Sequence, residues 1–285
     1  MFKLANYFLQ SLIIFFFFLI SKILGLKISR ALFSFLFVWV GPIFKSKKII
    51  DNNLNIFSKI NPTVDRNKIT REMWRNYGKT FIEYVFLDYL RKKNSCVSVT
   101  GEENLLTVTQ KNKPVIFISG HLANFEMMSM EISKRNIPLA IIYRPLNNIF
   151  LNPFMEFLRK KYICPHQIKK GINGVRDSIN FIKKKHSIAL MIDQRVSEGE
   201  KIKFFDQMAL TTTLPAQLSI KFNLDIIPVY IERDKDDHFR IEFQKPINVK
   251  NFENKIELTK ELNNILEKMI IKNPGQWIWT HNRWK

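Results

Sequence analysis

His121 and Glu126 lie five positions apart in Ile116-Phe117-Ile118-Ser119-Gly120-His121-Leu122-Ala123-Asn124-Phe125-Glu126, where a short apolar run ends. A histidine beside a carboxylate is the pairing that general-base chemistry uses. The imidazole takes a proton, and the carboxylate fixes its tautomer. The apolar run predicts a strand, and residues 124–134 predict a helix. His121 then sits in a strand-to-helix turn, where open α/β sheets place reactive groups. Asn124 is the expected N-cap, which puts Glu126 in the first turn, where the helix dipole favours an anion. A turn histidine and a solvated helix glutamate would show the same spacing, so the surrounding elements decide what the pair means.

Those elements alternate. Strands are predicted at residues 114–119, Leu139–Tyr143, 187–192, 224–232 and Phe239–Phe243. Helices are predicted at residues 124–134, 152–160, 174–185, Leu214–Phe222 and 255–271. The last carries Leu258, Leu262, Ile265, Leu266 and Met269 on one face. Residues 71–91 hold Trp74, Tyr77, Phe81, Tyr84 and Val85 at helical spacing, which reads as core. Gly171 to Gly174 opens a helix, and residues 234–237 form a charged turn. The alternation implies a layered α/β domain around a mostly parallel central sheet.

The N-terminus is different. Residues 8–26 carry one charge, Lys22, and include four consecutive phenylalanines, Phe15 to Phe18. About 20 apolar residues cross a bilayer as a helix. No small-residue cleavage site follows, so a retained transmembrane anchor is expected over 1–28. A second apolar run, 31–44, is short for a span. It reads as an interfacial segment within 29–48 or as a core helix. A single domain is expected over 49–285. Lys22, Lys27, Arg30, Lys45, Lys47 and Lys48 follow the span and only Lys3 precedes it, which places the domain on the cytoplasmic side of a single pass.

The 285 residues carry a formal net charge of +20. That excess favours acidic partners: anionic lipid, a carrier protein or nucleic acid. No helix-turn-helix, zinc ligand set or aromatic RNA-binding signature points to nucleic acid. Cys96 and Cys164 are isolated and form no framework, and no glycine-rich phosphate loop is present.

Further polar clusters fall at predicted strand ends: Tyr143-Arg144-Pro145 with Asn147, Asp193-Gln194-Arg195, and Phe204-Phe205-Asp206 leading to Thr211–Thr213. Arg159 follows a helix later, and the chain closes on Pro274-Gly275-Gln276-Trp277-Ile278-Trp279-Thr280-His281-Asn282-Arg283-Trp284-Lys285. An arginine at a strand end can hold a phosphate or carboxylate in a bidentate fork, and an Asp-Gln can order a neighbouring arginine. Together with the apolar N-terminus and Pro228, this ordered set resembles the lipid A biosynthesis lauroyl/myristoyl (late) acyltransferases, within the lysophospholipid acyltransferase-like superfamily. The resemblance runs through essentially the whole chain. Two positions depart from the family pattern. Asp206 stands where a glycine usually follows the two phenylalanines, and His186-Ser187 replaces a glycine before the Asp-Gln strand.

The resemblance implies an acyltransferase that moves a chain from a thioester donor, on acyl carrier protein or coenzyme A, to a hydroxyl of a membrane glycolipid, a phosphorylated lipid A precursor. It implies the cell inner membrane and no metal or bound cofactor. His121 would be the base, Glu126 would orient it, and Arg159 would join them as a catalytic group. Asn124, Arg144, Asn147, Asp193 and Gln194 would bind substrate, with Asp193 positioning an arginine. A glycolipid or lysophospholipid of another kind is the alternative acceptor. A membrane-tethered basic interaction protein is the non-enzymatic alternative; it leaves His121, Glu126 and the terminal cluster without a role.

Overall fold

A computed structural model describes residues 2–92, 96–110 and 113–285. The elements in chain order are α1 (Phe2–Phe44), α2 (Lys47–Ile60), α3 (Arg66–Glu83), α4 (Leu87–Lys92), β1 (Val97–Thr100), α5 (Leu106–Thr109), β2 (Ile116–Ser119), α6 (Glu126–Lys134), β3 (Leu139–Tyr143), α7 (Asn152–Tyr162), β4 (His166–Lys169), α8 (Ile172–Lys183), β5 (Ser187–Met191), β6 (Glu200–Phe204), β7 (Gln207–Thr211), α9 (Leu214–Phe222), β8 (Ile226–Arg233), β9 (Phe239–Phe243) and α10 (Lys255–Lys272).

Seven strands form one sheet in the order β1-β9-β8-β2-β5-β3-β4. Every pair is parallel except β8 with β9. Alternate side chains go to opposite faces. Ile116, Ile118, Ile188, Leu190 and Ile226 pack on one face with Leu258, Leu262, Leu266 and Met269 of α10. Phe117, Ala189, Ile227, Val229 and Ile231 pack on the other with Met127, Met128, Met130 and Ile132 of α6. With both faces covered, the central strands are near-continuous apolar runs, as buried parallel strands must be. β6 and β7 form a separate hairpin.

The N-terminal helix turns back on itself at Gly25, whose φ of 77° and ψ of 167° are not helical. In a straight helix Phe17 and Phe33 would lie ~24 Å apart. Their rings are instead 5.5 Å apart, and Ser29 Oγ donates to the Ser21 carbonyl at 3.1 Å. Glycine is needed at the turn because positive φ strains a residue with a Cβ. The first arm runs along the domain: Phe8 meets Phe150, Phe15 meets Phe154, and Phe18 meets Phe81. The second arm packs on α3 through Phe33 and Phe37. The opposite faces of both arms expose Leu9, Leu12, Phe16, Leu19, Leu32, Phe35 and Trp39. The helix is long and apolar enough to cross a membrane.

Candidate active site

β2 and β5 are parallel neighbours with Ser119 opposite Met191, so the residues just past their carboxyl ends face each other. Asp193 Oδ1 lies 2.7 Å from His121 Nδ1. Its Oδ2 accepts from the His121 backbone N–H and from Trp277 Nε1, both at 2.8 Å. Gly120 lets α10 pack closely behind this turn, since a Cβ there would lie 2.8 Å from Leu266 Cδ1. Burial alone would raise the Asp193 pKa. The His121 charge, the two His121 hydrogen bonds and the Trp277 bond outweigh it and hold the pKa at about 2. An ionised carboxylate on Nδ1 keeps the proton there and leaves Nε2 as the basic nitrogen.

The partner of His121 is therefore Asp193, and the expectation that Glu126 orients the imidazole is corrected. Glu126 Oε1 instead accepts from Tyr84 Oη at 2.6 Å and Arg159 Nε at 2.7 Å. Arg159 Nη2 also reaches Tyr84 Oη at 3.0 Å, and its guanidinium lies 5.7 Å from the ring centres of both Tyr84 and Tyr143. Burial opposes the Arg159 charge, but the Glu126 carboxylate and Tyr84 more than offset it, so its pKa rises. Asp193 likewise positions a histidine where an arginine was expected.

The loop between these clusters is held from α3. Ala123 has a φ of 48°, a conformation that persists only when its surroundings over-determine it. Its carbonyl accepts from Asn76 Nδ2 and Thr80 Oγ1, and its N–H donates to the Gln276 carbonyl. Asn124 Oδ1 accepts from the Glu126 N–H at 3.2 Å, two residues ahead of it. Asn124 Nδ2 donates to Glu83 Oε2 at 2.8 Å. Glu83 is fully buried and also takes Arg30 Nε at 2.6 Å and Arg233 Nη2 at 2.9 Å. Burial would raise the Glu83 pKa; the two arginine charges and the Arg233 and Asn124 hydrogen bonds bring it to about 2. Of the aromatic stripe read as core, Trp74 and Val85 are buried, whereas Tyr77, Phe81 and Tyr84 line the cleft; Asn76, Thr80 and Glu83 of α3 fix the loop.

A cleft of about 620 Å³ opens at this end of the sheet. His121, Glu126, Arg144, Asn147, Arg159 and Gln194 line it. Asn124 and Asp193, expected to bind substrate, are each 1 % exposed and lie behind the cleft wall. Lys170, which the sequence reading did not single out, and His281, which it quoted only within the terminal motif, also line the cleft. Tyr143 is in register with Lys169, so Arg144 and Lys170 leave neighbouring strands side by side. Burial and the Arg144 charge lower the Lys170 pKa. Neither cation has a carboxylate partner within 4 Å among the described residues. Phe18, Phe81, Met128, Met155, Leu190 and Met191 make the apolar walls. Among the described residues no group of His, Cys, Asp and Glu could hold a metal ion.

The sequence profile of the family described as "Bacterial lipid A biosynthesis acyltransferase" matches residues 1–285. The chain belongs to that family. It is 24% identical over 254 residues to the lipid A biosynthesis palmitoleoyltransferase of Escherichia coli, across 85% of this chain and 79% of that one. The same figures hold for a lipid A biosynthesis acyltransferase of Shigella flexneri. A crystal structure of the 1-acyl-sn-glycerophosphate (LPA) acyltransferase PlsC from Thermotoga maritima superposes with a TM-score of 0.44 at 14% identity, covering 89% of this chain and 100% of that one. That likeness is too loose to carry an argument.

In this acyltransferase the terminal motif is a buttress. Trp277, Trp279 and Arg283 are each at most 1 % exposed. Trp279 Nε1 donates to the Pro274 carbonyl and Trp284 Nε1 to the Phe204 carbonyl. Arg283 donates to the Leu210 carbonyl and Thr211 Oγ1, which gives the first residue of the threonine run a role. The β6–β7 hairpin turns on Phe205 and Asp206, with φ of 51° and 56°. Two positive φ values are what a type I′ turn requires, and they favour glycine second. Asp206 occupies that second position, so its departure from the family pattern changes the ease of the turn and leaves the turn itself in place.

Proposed function

We propose that this acyltransferase moves a fatty acyl chain from a thioester to a hydroxyl of a lipid A precursor, with His121 as general base. The observation that carries this is His121 itself: Nδ1 is held by a buried carboxylate, while the ring lines a cleft with apolar walls and with Arg144 and Lys170 among its lining residues. A hydroxyl needs a base at the moment of attack, and such groups contribute ~10²–10⁴-fold. His121 Nε2 takes the hydroxyl proton as the oxygen attacks the thioester carbonyl. The tetrahedral intermediate then collapses, the C–S bond breaks, and the leaving sulfur takes the proton back from His121. The products are an ester and a free thiol.

Arg144 and Lys170 suit a phosphate of the acceptor, and an arginine fork can bind it in bidentate fashion. Glu126 and Tyr84 hold Arg159 rigidly on the same wall. The apolar walls suit the acyl chain. Exposed Leu146, Ile149 and Phe150 beside the cleft continue the exposed apolar face of α1. A first arm packed on the domain from Phe8 to Phe18 has one face free for lipid. The folded-back α1 therefore lies in the membrane interface with the cleft at the bilayer surface, in place of a lone span. Acyl carrier protein is the donor that suits the net positive charge.

Purified His121→Ala, assayed with acyl carrier protein and coenzyme A thioesters and a lipid A precursor, is expected to lose at least ~10²-fold in kcat with its fold intact. Near-wild-type transfer would sink the mechanism. A protein that ignores the precursor but acylates another lipid would replace the acceptor. Arg144→Ala is expected to raise KM for the phosphorylated acceptor more than for a dephosphorylated analogue.

A further inference from the structure

The cleft holds a second histidine whose position is as strictly set as that of His121. His281 Nε2 accepts a hydrogen bond from the Arg195 backbone N–H at 2.9 Å. Arg195 is two residues past Asp193, the partner of His121. The two imidazoles thus hang from one short segment at the end of β5. The backbone of His281 is anchored as well: its carbonyl accepts from Asn53 Nδ2 at 2.7 Å, and Asn53 also donates to the Trp279 carbonyl.

An amide N–H can only donate, so Nε2 of His281 must be the acceptor nitrogen. The proton of the neutral ring therefore sits on Nδ1. That nitrogen has no hydrogen-bond partner among the described residues, and the ring lines the cleft. Burial, assisted by the charges of His121, Arg283 and Lys170, lowers the His281 pKa to about 4 despite the opposing pull of Asp193. The ring is neutral at physiological pH and does not compete with His121 for the transferred proton. A neutral donor with a fixed tautomer, beside a base and inside a substrate cleft, is suited to a developing negative oxygen.

We propose that the Nδ1–H of His281 donates to the oxyanion of the tetrahedral intermediate, which makes His281 a catalytic residue. This rests on His121-dependent acyl transfer in the same cleft. As the hydroxyl oxygen bonds to the thioester carbon, the carbonyl π pair moves to oxygen, and His281 meets that charge. When the C–S bond breaks the pair returns, and His281 keeps its proton throughout. His121 alone moves a proton.

The test exploits the two ring nitrogens. Asn places an amide near the position of Nδ1, and Gln places one near Nε2. His281→Ala and His281→Gln are expected to lose ~10²-fold in kcat with KM for the acceptor little changed, the loss typical of one oxyanion donor. His281→Asn is expected to stay within ~10-fold of wild type. A purely structural partner for the Arg195 amide predicts the reverse, because Gln can place its Oε1 acceptor near the position of the histidine Nε2 and the shorter Asn cannot. Retained rate in Gln, equal loss in Asn and Ala, or an effect confined to KM overturns the proposal. Should the variants fail to fold, nitrogen-15 NMR of histidine-labelled wild-type protein decides. His281 is expected as an Nδ1–H tautomer whose signal shifts when a phosphonate analogue of the tetrahedral intermediate binds. An Nε2–H tautomer, or no shift in the presence of bound analogue, overturns it. Loss of activity in His121→Ala with full activity in His281→Ala would leave the acyl-transfer reading intact and reject this one.

Discussion

Two buried carboxylates lie near the cleft, Glu126 in its lining and Asp193 behind its wall, and they hold different partners. Asp193 spends one oxygen on the His121 ring and the other on the loop backbone and Trp277. The ring it holds has no hydrogen-bond partner on Nε2 among the described residues, which in the proposed mechanism lets it exchange a proton. Glu126 holds Arg159 and Tyr84, two side chains that do not change charge near neutral pH. In the proposed mechanism the first cluster moves a proton, and the second holds its side chains still. A carboxylate five residues from a histidine is its neighbour in sequence. The carboxylate 72 residues away is its neighbour in space.

The sharpest way to break this contrast is to neutralise each carboxylate without changing its shape. Asp193→Asn is expected to lose ~10³-fold in kcat, because an amide on Nδ1 stabilises the wrong tautomer and no longer supports the imidazolium. Adding His121→Ala to it should cost little beyond His121→Ala alone, since the two act as a unit. Glu126→Gln should instead combine additively with His121→Ala. Non-additivity for Glu126 and additivity for Asp193 would exchange the two roles.

Stability should separate the clusters in the other direction. Glu126→Gln leaves the Arg159 charge buried without its partner and is expected to cost about 3 kcal/mol in denaturant unfolding. Arg159→Met added to it should recover part of that loss. A Glu126→Gln protein as stable as wild type would mean that the pair contributes nothing to the wall.

Acid should expose the first cluster next. The folded His281 pKa is lowered from 6.5 to about 4, so the unfolded chain binds its proton first as pH falls. Its contribution is fully present above 6.5 and is lost as pH drops through 6.5 toward 4. Asp193 and Glu83, both brought to about 2 when folded, contribute fully above their unfolded values and are lost below ~4. Denaturation midpoints measured against pH should show both declines, and His281→Asn should remove only the first.

The smallest effect is expected away from both clusters. Asp206→Gly relieves a positive φ on the β6–β7 turn and should raise stability by about 0.5–1 kcal/mol while leaving kcat unchanged. A change in activity would mean that the hairpin shapes the cleft.

Local periodicity determined much of this protein. Leu139–Tyr143, Leu214–Phe222 and Phe239–Phe243 form where alternation and helical spacing place them, and the long face of α10 is buried as expected. The strand-end positions of His121, Arg144 and Asp193 were legible for the same reason: a short apolar run that stops marks the end of a buried strand. β4 was not legible, because His166–Lys169 is a polar edge strand with only Ile168 buried. Lys170 at its end was missed with it. The apolar N-terminus was legible as a long apolar helix, but the turn at Gly25 depends on Phe33 and Phe18 finding Phe81 on a distant helix. Above all, the partner of His121 depends on β2 lying beside β5 in register, and strand order is set by packing of the whole sheet. Sequence spacing fixes which residues share one element. Only the tertiary structure decides which elements meet, and here that placed Asp193 on the histidine and gave Glu126 to Arg159.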